Sequence, residues 1–376
     1  MKVVFIGLEG YNSPCVRIRC YHFAKILSEH GIETEILSFN DHLAPDIKDT
    51  DMFALEDERR LTLTRKALWR LLREKNETIF YIQKILYHAV APFLLYRFGR
   101  NKFVLDYDDW DIETCGLFIN TLFNRIFFRY PDNLNILKYV ASNALFCVGA
   151  SRSLCDILSK FNENVFYIPT GVNNLKFKKL EKKKNEKIAF VWTGIVWGKW
   201  IYDNILFLLD CFSEVNRAYP DVMLKIVGSG QWMSKAKGIV SKTYKRYNIE
   251  FIDWIHPDQM PEFLSSVDIG LLPLIQADSL WFKSKSPTKL FEYMTMELPT
   301  VSSSVGEAKH VIKDGYDGFL ANNREDFIGK MKELVENEDL RNEMGDRARK
   351  KIEAKYSLTS LGKQLFDVFQ RDKIWR

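Results

Sequence analysis

The chain has 376 residues, of which 47% are hydrophobic and 27% charged, with a formal net charge of +5. That length exceeds what one ordinary hydrophobic core serves, so two globular domains are expected, and so mild a charge gives no reason to expect nucleic acid as a partner. The six cysteines (Cys15, Cys20, Cys115, Cys147, Cys155, Cys211) show no CxxC or CxH spacing, which argues against a zinc site or a disulfide framework and favours a reducing compartment.

Residues 2–7 read as a buried strand, 7–10 as a turn, 16–27 as a helix and 32–39 as a second strand. This strand–loop–helix–strand opening is Rossmann-like, but the glycines do not make the GxGxxG fingerprint, so a nicotinamide site is not expected. The 2–6 segment is too short for the apolar core of a signal peptide, and no apolar run reaches the ~20 residues that span a bilayer. Arg17 and Arg19 fall near a helix start at the carboxyl end of a strand, where open α/β sheets bind ligands. The competing reading is a pair of solvated arginines.

In 56–100, basic residues such as Arg60, Arg65 and Arg70 interleave with Leu63, Trp69 and Leu71, and 85–98 is apolar and aromatic. This reads either as an amphipathic helix drawn to anionic lipid or as one packed on its own domain. The 117–130 segment, with Phe118, Phe123, Arg125, Phe128 and Arg129, has the same character. Strand 78–84 ends at Gln83 and Lys84, and strand 102–106 runs into Asp106, Asp108, Asp109 and Asp111. Burying unpaired carboxylates costs several kcal/mol, so these acids are expected to face a cleft or solvent.

Strands at 145–148 and 165–168 follow, the second leading into Pro169, Thr170, Gly171 and Val172; a polar linker is expected over 176–187. Strand 188–194 then reaches Gly194, with Lys199 in the loop before the next helix. Strands at 224–230, 249–255 and 267–274 continue the alternation, which specifies parallel sheets with crossover helices. The 284–300 segment follows. Ser286 reads as a helix N-cap, Pro287 and Thr288 as the first turn, and Leu290, Phe291 and Met294 as an apolar face. Lys289 and Glu292, three apart, project near one another. A helix N-terminus beside Lys285 and Lys289 suits a diphosphate, and Glu292 is placed to accept hydrogen bonds from sugar hydroxyls. An ordinary capped helix with surface charges is the plainer reading. Residues 298–302 read as a buried strand and 357–369 as a final helix.

The 284–300 segment resembles the donor-nucleotide motif of GT-B glycosyltransferases, specifically family four. That family carries two glutamates separated by seven residues; Glu292 matches the second, and Ser284 stands where the first is usual. The strand leading into Pro169-Thr170-Gly171-Val172 is a second match. The 305–319 segment is a third, although His310 replaces the family's glutamate and no catalytic role is assigned to it.

The resemblance implies an α/β, GT-B fold: two Rossmann-like domains facing a central cleft, with an acceptor-binding domain over 1–175, a nucleotide-sugar domain over 187–355, and a C-terminal helix, 356–376, returning to the first. It implies transfer of a sugar from a UDP- or GDP-sugar to a glycan or lipid-linked acceptor, with retention of configuration. The expected donor-binding residues are Gly194, Lys199, Ser286, Pro287, Thr288, Lys289 and Glu292. Lys199 and Lys289 would neutralise the departing diphosphate, and Glu292 would hold the ribose. Arg17, Arg19, Lys84, Asp108 and Asp109 would line the acceptor side, with Asp108 and Asp109 supporting the chemistry. No metal and no cofactor is expected. A cytoplasmic enzyme at the inner face of the plasma membrane, working in cell-surface polysaccharide assembly, is the natural setting. A sugar-nucleotide epimerase on the same scaffold and a non-catalytic sugar-nucleotide-binding module are the alternatives.

Overall fold

The computed structural model describes residues 1–110, 117–178, 187–276 and 278–371. Two compact units divide the chain. The first holds Met1–Gly171, Ser284–Ser286 and Leu358–Arg376; the second holds Val172–Lys283 and Pro287–Ser357. Asp111, Cys115 and most of the expected linker lie outside the described residues.

The first unit is built on six parallel strands: β1 (Lys2–Gly7), β2 (Glu33–Ser38), β3 (Ile79–Gln83), β4 (Phe103–Tyr107), β5 (Cys147–Gly149) and β6 (Val165–Tyr167). Their order is β2-β1-β3-β4-β5-β6. Strands β1, β3, β4 and β5 are buried along their whole length or nearly so, which is why they read as continuous apolar runs rather than alternating ones. Phe5, Tyr81, Val104 and Phe146 pack with Val16, Phe23 and Leu27, and with Leu361, Leu365 and Phe369 of the final helix Leu358–Phe369. That helix lies close on the helix Phe23–Glu29: a Cβ at Gly362 would stand 2.6 Å from the Ile26 side chain.

The second unit has its own six parallel strands: β7 (Ile188–Ile195), β8 (Val222–Ser229), β9 (Ile249–Ile252), β10 (Ile269–Leu272), β11 (Thr300–Ser303) and β12 (Phe319–Ala321). The order is β12-β11-β10-β7-β8-β9, the doubly wound arrangement. Its core gathers Phe190, Trp192, Leu208, Phe212, Leu224, Ile226 and Val301.

In each sheet the chain reverses its winding at one point: between β1 and β3 in the first, and between β7 and β10 in the second. Crossover helices leave opposite faces there, so a crevice opens beyond the carboxyl ends of those strands, the usual ligand position. Over 56–100 the structure matches the second of the two sequence readings, helices packed on their own domain. The helix Asp57–Leu71 turns Leu63, Ala67 and Leu71 inward, and the helix Val90–Arg97 is largely core. Arg60 is buried, and its guanidinium donates to the carbonyls of Phe53, Leu55 and Leu117. Apolar spacing alone could not tell a face turned to lipid from one turned to its own sheet.

Candidate functional site

In the second unit, β7 ends at Thr193, Gly194 and Ile195, beside the chain reversal. Gly194 has φ 156°, and a Cβ there would stand 2.8 Å from Lys289 Nζ and 2.9 Å from the Trp192 ring. Glycine therefore lets the lysine lie against the strand end. Lys289 Nζ sits 4.0 Å from the centroid of the Trp192 indole, a cation–π distance. Behind it, the buried Tyr293 hydroxyl accepts from the Thr193 backbone N–H at 2.8 Å. The Tyr293 ring fills the space over Gly270, where a Cβ would approach it to 2.5 Å. These contacts fix the helix Thr288–Thr295 against β7 and β10, with Glu292 half-buried one turn beyond Lys289.

Neither this helix nor Lys199–Ala218, which follows β7, has a side-chain cap or an acid in its first turn. Both starts leave backbone N–H groups and a positive dipole end for an anion. Lys199 opens the second of these helices; its side chain is 70% exposed and pairs with Asp203 at 2.7 Å. Ser286 does not cap the helix as its spacing suggests. Pro287 holds the cap position. Ser286 instead accepts from the Thr170 N–H at 3.2 Å, and its carbonyl accepts from the Thr170 hydroxyl at 2.9 Å. His310 is exposed.

In the first unit the crevice between β1 and β3 collects a different set. Asp108 accepts from Gln83 Nε2 at 2.8 Å and lies 4.0 Å from Lys84 Nζ. Lys84 has φ 66°, a left-handed conformation that a non-glycine residue adopts at some cost, held here by its N–H bonding to the Asp106 carbonyl at 2.8 Å. Asp109 accepts from Lys285 Nζ at 2.5 Å. Glu9, just past β1, shares this neighbourhood. Burial pushes its carboxyl up to about 7, with Asp49 and Asp108 adding to the rise and Lys84 and Ser13 opposing it. The residues sit at three strand ends, so only the sheet order brings them together. Its position just past the end of β1 is the one signal in the sequence that points to Glu9.

Two expectations are corrected here. Arg19 does not face a ligand: it is wholly buried, bonded to both oxygens of Asp106, and donates to the Ile168 carbonyl at 2.7 Å. Asp106 is likewise a core residue, also accepting from the Tyr81 hydroxyl at 2.6 Å. The acid is tolerated because it is fully paired. Arg17, also buried, donates to the carbonyls of Tyr11 and Asn12 at 3.2 and 3.1 Å, fastening the loop after β1. It leaves from a π-helical turn, Arg17–His22. Among the described residues no group of three His, Cys, Asp or Glu side chains is placed to hold a metal ion, and no helix is long and apolar enough to cross a membrane.

Residues 173–351 match the sequence model of the family described as Glycosyl transferases group 1. The UDP-Gal:alpha-D-GlcNAc-diphosphoundecaprenol alpha-1,3-galactosyltransferase of Escherichia coli is 26% identical over 54% of this chain and 53% of its own. Spore coat protein SA of Bacillus subtilis is 20% identical over 44% and 45%. The chain thus spans about half the length of these curated relatives. Among solved structures, sucrose-phosphate synthase from Thermosynechococcus elongatus superposes with a TM-score of 0.74 at 12% identity, covering 98% of both chains. HepE from Anabaena, solved with UDP-glucose, gives 0.67 at 14% identity over 98% and 99%. These likenesses establish the GT-B fold.

Proposed function

We propose that this chain, whose residues 173–351 match the glycosyl transferases group 1 model, moves a sugar from a nucleotide diphosphate sugar to a hydroxyl of a glycan or lipid-linked acceptor in cell-surface polysaccharide assembly. Retention of configuration goes with the family resemblance. The observation that carries the reading is that the family match falls on the unit holding Lys289 against Gly194 at the end of β7.

The reaction is a problem of charge. As the anomeric carbon–oxygen bond breaks, negative charge gathers on the diphosphate and the sugar becomes oxocarbenium-like. A fixed cation and helix dipoles aimed at the leaving group stabilise that state without reorganising during the step. In our reading Lys289 and the uncapped start of Thr288–Thr295 do this, with Lys199 as a second, mobile cation. Ser286, Pro287 and Thr288 form the approach to that helix, and Glu292 takes the ribose hydroxyls. Lys84, Asp108 and Asp109 orient the acceptor hydroxyl; Arg17 shapes the loop beside them.

Thermal melting against a panel of nucleotide sugars identifies the donor, since a ligand at a hundred times its Kd adds about 2.7 kcal/mol to the folded state. Transfer is then followed with and without acceptor. Product only in the presence of acceptor supports the proposal. Epimerised sugar from donor alone would make the chain an isomerase, and binding with no turnover would make it a binding module.

A further inference from the structure

The helix Thr121–Phe128 turns one side inward. Phe128 is buried and stacks on Phe93 at 5.2 Å between ring centroids, and Phe118 packs on Phe123 and Phe127 at 5.6 and 5.5 Å. The other side carries Leu122 and Ile126, four residues apart and each 55% exposed, with Ile119 62% exposed just ahead of the helix. Arg97 joins a further element to this surface. Its guanidinium donates to the Ile126 and Phe127 carbonyls at 3.4 and 2.8 Å, at the helix's carboxyl end, and the adjacent Phe98 is 76% exposed. Arg125 and Arg129 are exposed among these apolar side chains. Between 117 and 138 the sequence holds three cations, Arg125, Arg129 and Lys138, against one acid. That acid, Asp132, caps the next helix through the Asn135 N–H at 2.9 Å, and a second carboxylate at the face, Asp57, is taken up by the Ile119 and Asn120 N–H groups at 2.8 and 2.7 Å.

Single exposed apolar residues need no explanation, but a contiguous group framed by cations does. Leucine, isoleucine and phenylalanine gain by entering the acyl boundary of a bilayer, while arginines beside them keep their guanidinium groups at the phosphates. We propose that this face, with Ile119, Leu122, Ile126 and Phe98 framed by Arg97, Arg125 and Arg129, docks the protein on an anionic lipid bilayer. The sign of the charge selects the anionic surface over a neutral one. The surface deepens the lipid-linked acceptor reading and rests on it only for its purpose, not for its geometry.

The full chain is floated with vesicles of equal parts phosphatidylethanolamine and phosphatidylglycerol, and separately with phosphatidylcholine alone. These vesicles hold neither donor nor acceptor, so their result is independent of whether sugar transfer occurs. We expect binding to the anionic vesicles to be at least about tenfold tighter, and to fall by about fivefold for each of Arg125→Ala and Arg129→Ala. Leu122→Glu with Ile126→Glu abolishes it, with the melting midpoint kept because both side chains are exposed. Equal binding to both vesicles, or unchanged binding in the glutamate variant, overturns the proposal. So does self-association that the same substitutions remove in a chain that binds no vesicle, which would make this face an interface between copies.

Discussion

Arg19 meets Asp106 edge to edge, its Nε 2.7 Å and its Nη2 2.5 Å from the two carboxylate oxygens, and neither side chain has any exposed surface. Burial alone would disfavour the charge on Arg19, but the carboxylate outweighs it and holds the guanidinium protonated. The pair ties the turn after β1 to the end of β4, and the same guanidinium reaches the carbonyl of Ile168 beyond β6.

Removing one partner of this pair strands the other charge. Asp106→Asn or Arg19→Met should each lower unfolding free energy by about 3–5 kcal/mol, whereas the double variant should lose less than the sum. Urea unfolding curves of the four proteins measure it. Additive losses would show that the two groups do not depend on each other.

Lys289→Ala should keep the fold and lower kcat by about a hundredfold or more, because it removes a cation placed for the leaving group. Lys199→Ala should cost less than tenfold, since its exposed ammonium is screened by water. Steady-state rates with the identified donor decide the ranking, and near-normal turnover in Lys289→Ala would remove that residue from the mechanism.

Tyr293→Phe deletes the acceptor of the buried Thr193 N–H. A loss of about 1–3 kcal/mol is expected in chemical denaturation, with no compensating gain from the similar ring. A variant as stable as the parent would mean that another group takes the N–H.

Stability should depend on pH through two groups that act oppositely. Glu9, pushed up to about 7, keeps its proton in the folded state while the unfolded chain loses it near 4.5, so stability falls as pH rises from about 4.5 to 7. His88 is wholly buried and pushed down to about 4 by burial, with Lys84 adding to the fall and the bond to the Gln83 carbonyl opposing it. It stays neutral when folded and gains a proton when unfolded, so stability is lost as pH falls from about 6.5 to 4. Each effect is on the order of 3 kcal/mol, and they offset one another in the shared window. Glu9→Gln should make stability climb with pH across that window; His88→Phe should make it decline. Parallel melting profiles in both variants would contradict the assignment.

The sequence by itself determined eleven of the twelve strands in outline, all but β12, the alternation that makes parallel sheets with crossover helices, and the segment holding Lys289 and Glu292. Apolar runs, glycine turns and a proline-led helix start are short-range signals, and short-range physics is enough to write them. The tertiary structure alone decided what each charge does. Arg19 and Arg17 look alike in the sequence, yet one meets an acid 87 residues away and the other fastens its own loop. Asp106, Asp108 and Asp109 look equivalent, yet one is a core residue, one meets Gln83 and one meets Lys285. Glu9 joined them only through sheet order. The same holds for the apolar segments: 85–98 and 117–130 share a composition, but one is packed under its sheet except at its end, Phe98, and the other keeps Leu122 and Ile126 outward. The energy of a charge or an apolar face depends on what closes over it, and that comes from parts of the chain far away in sequence.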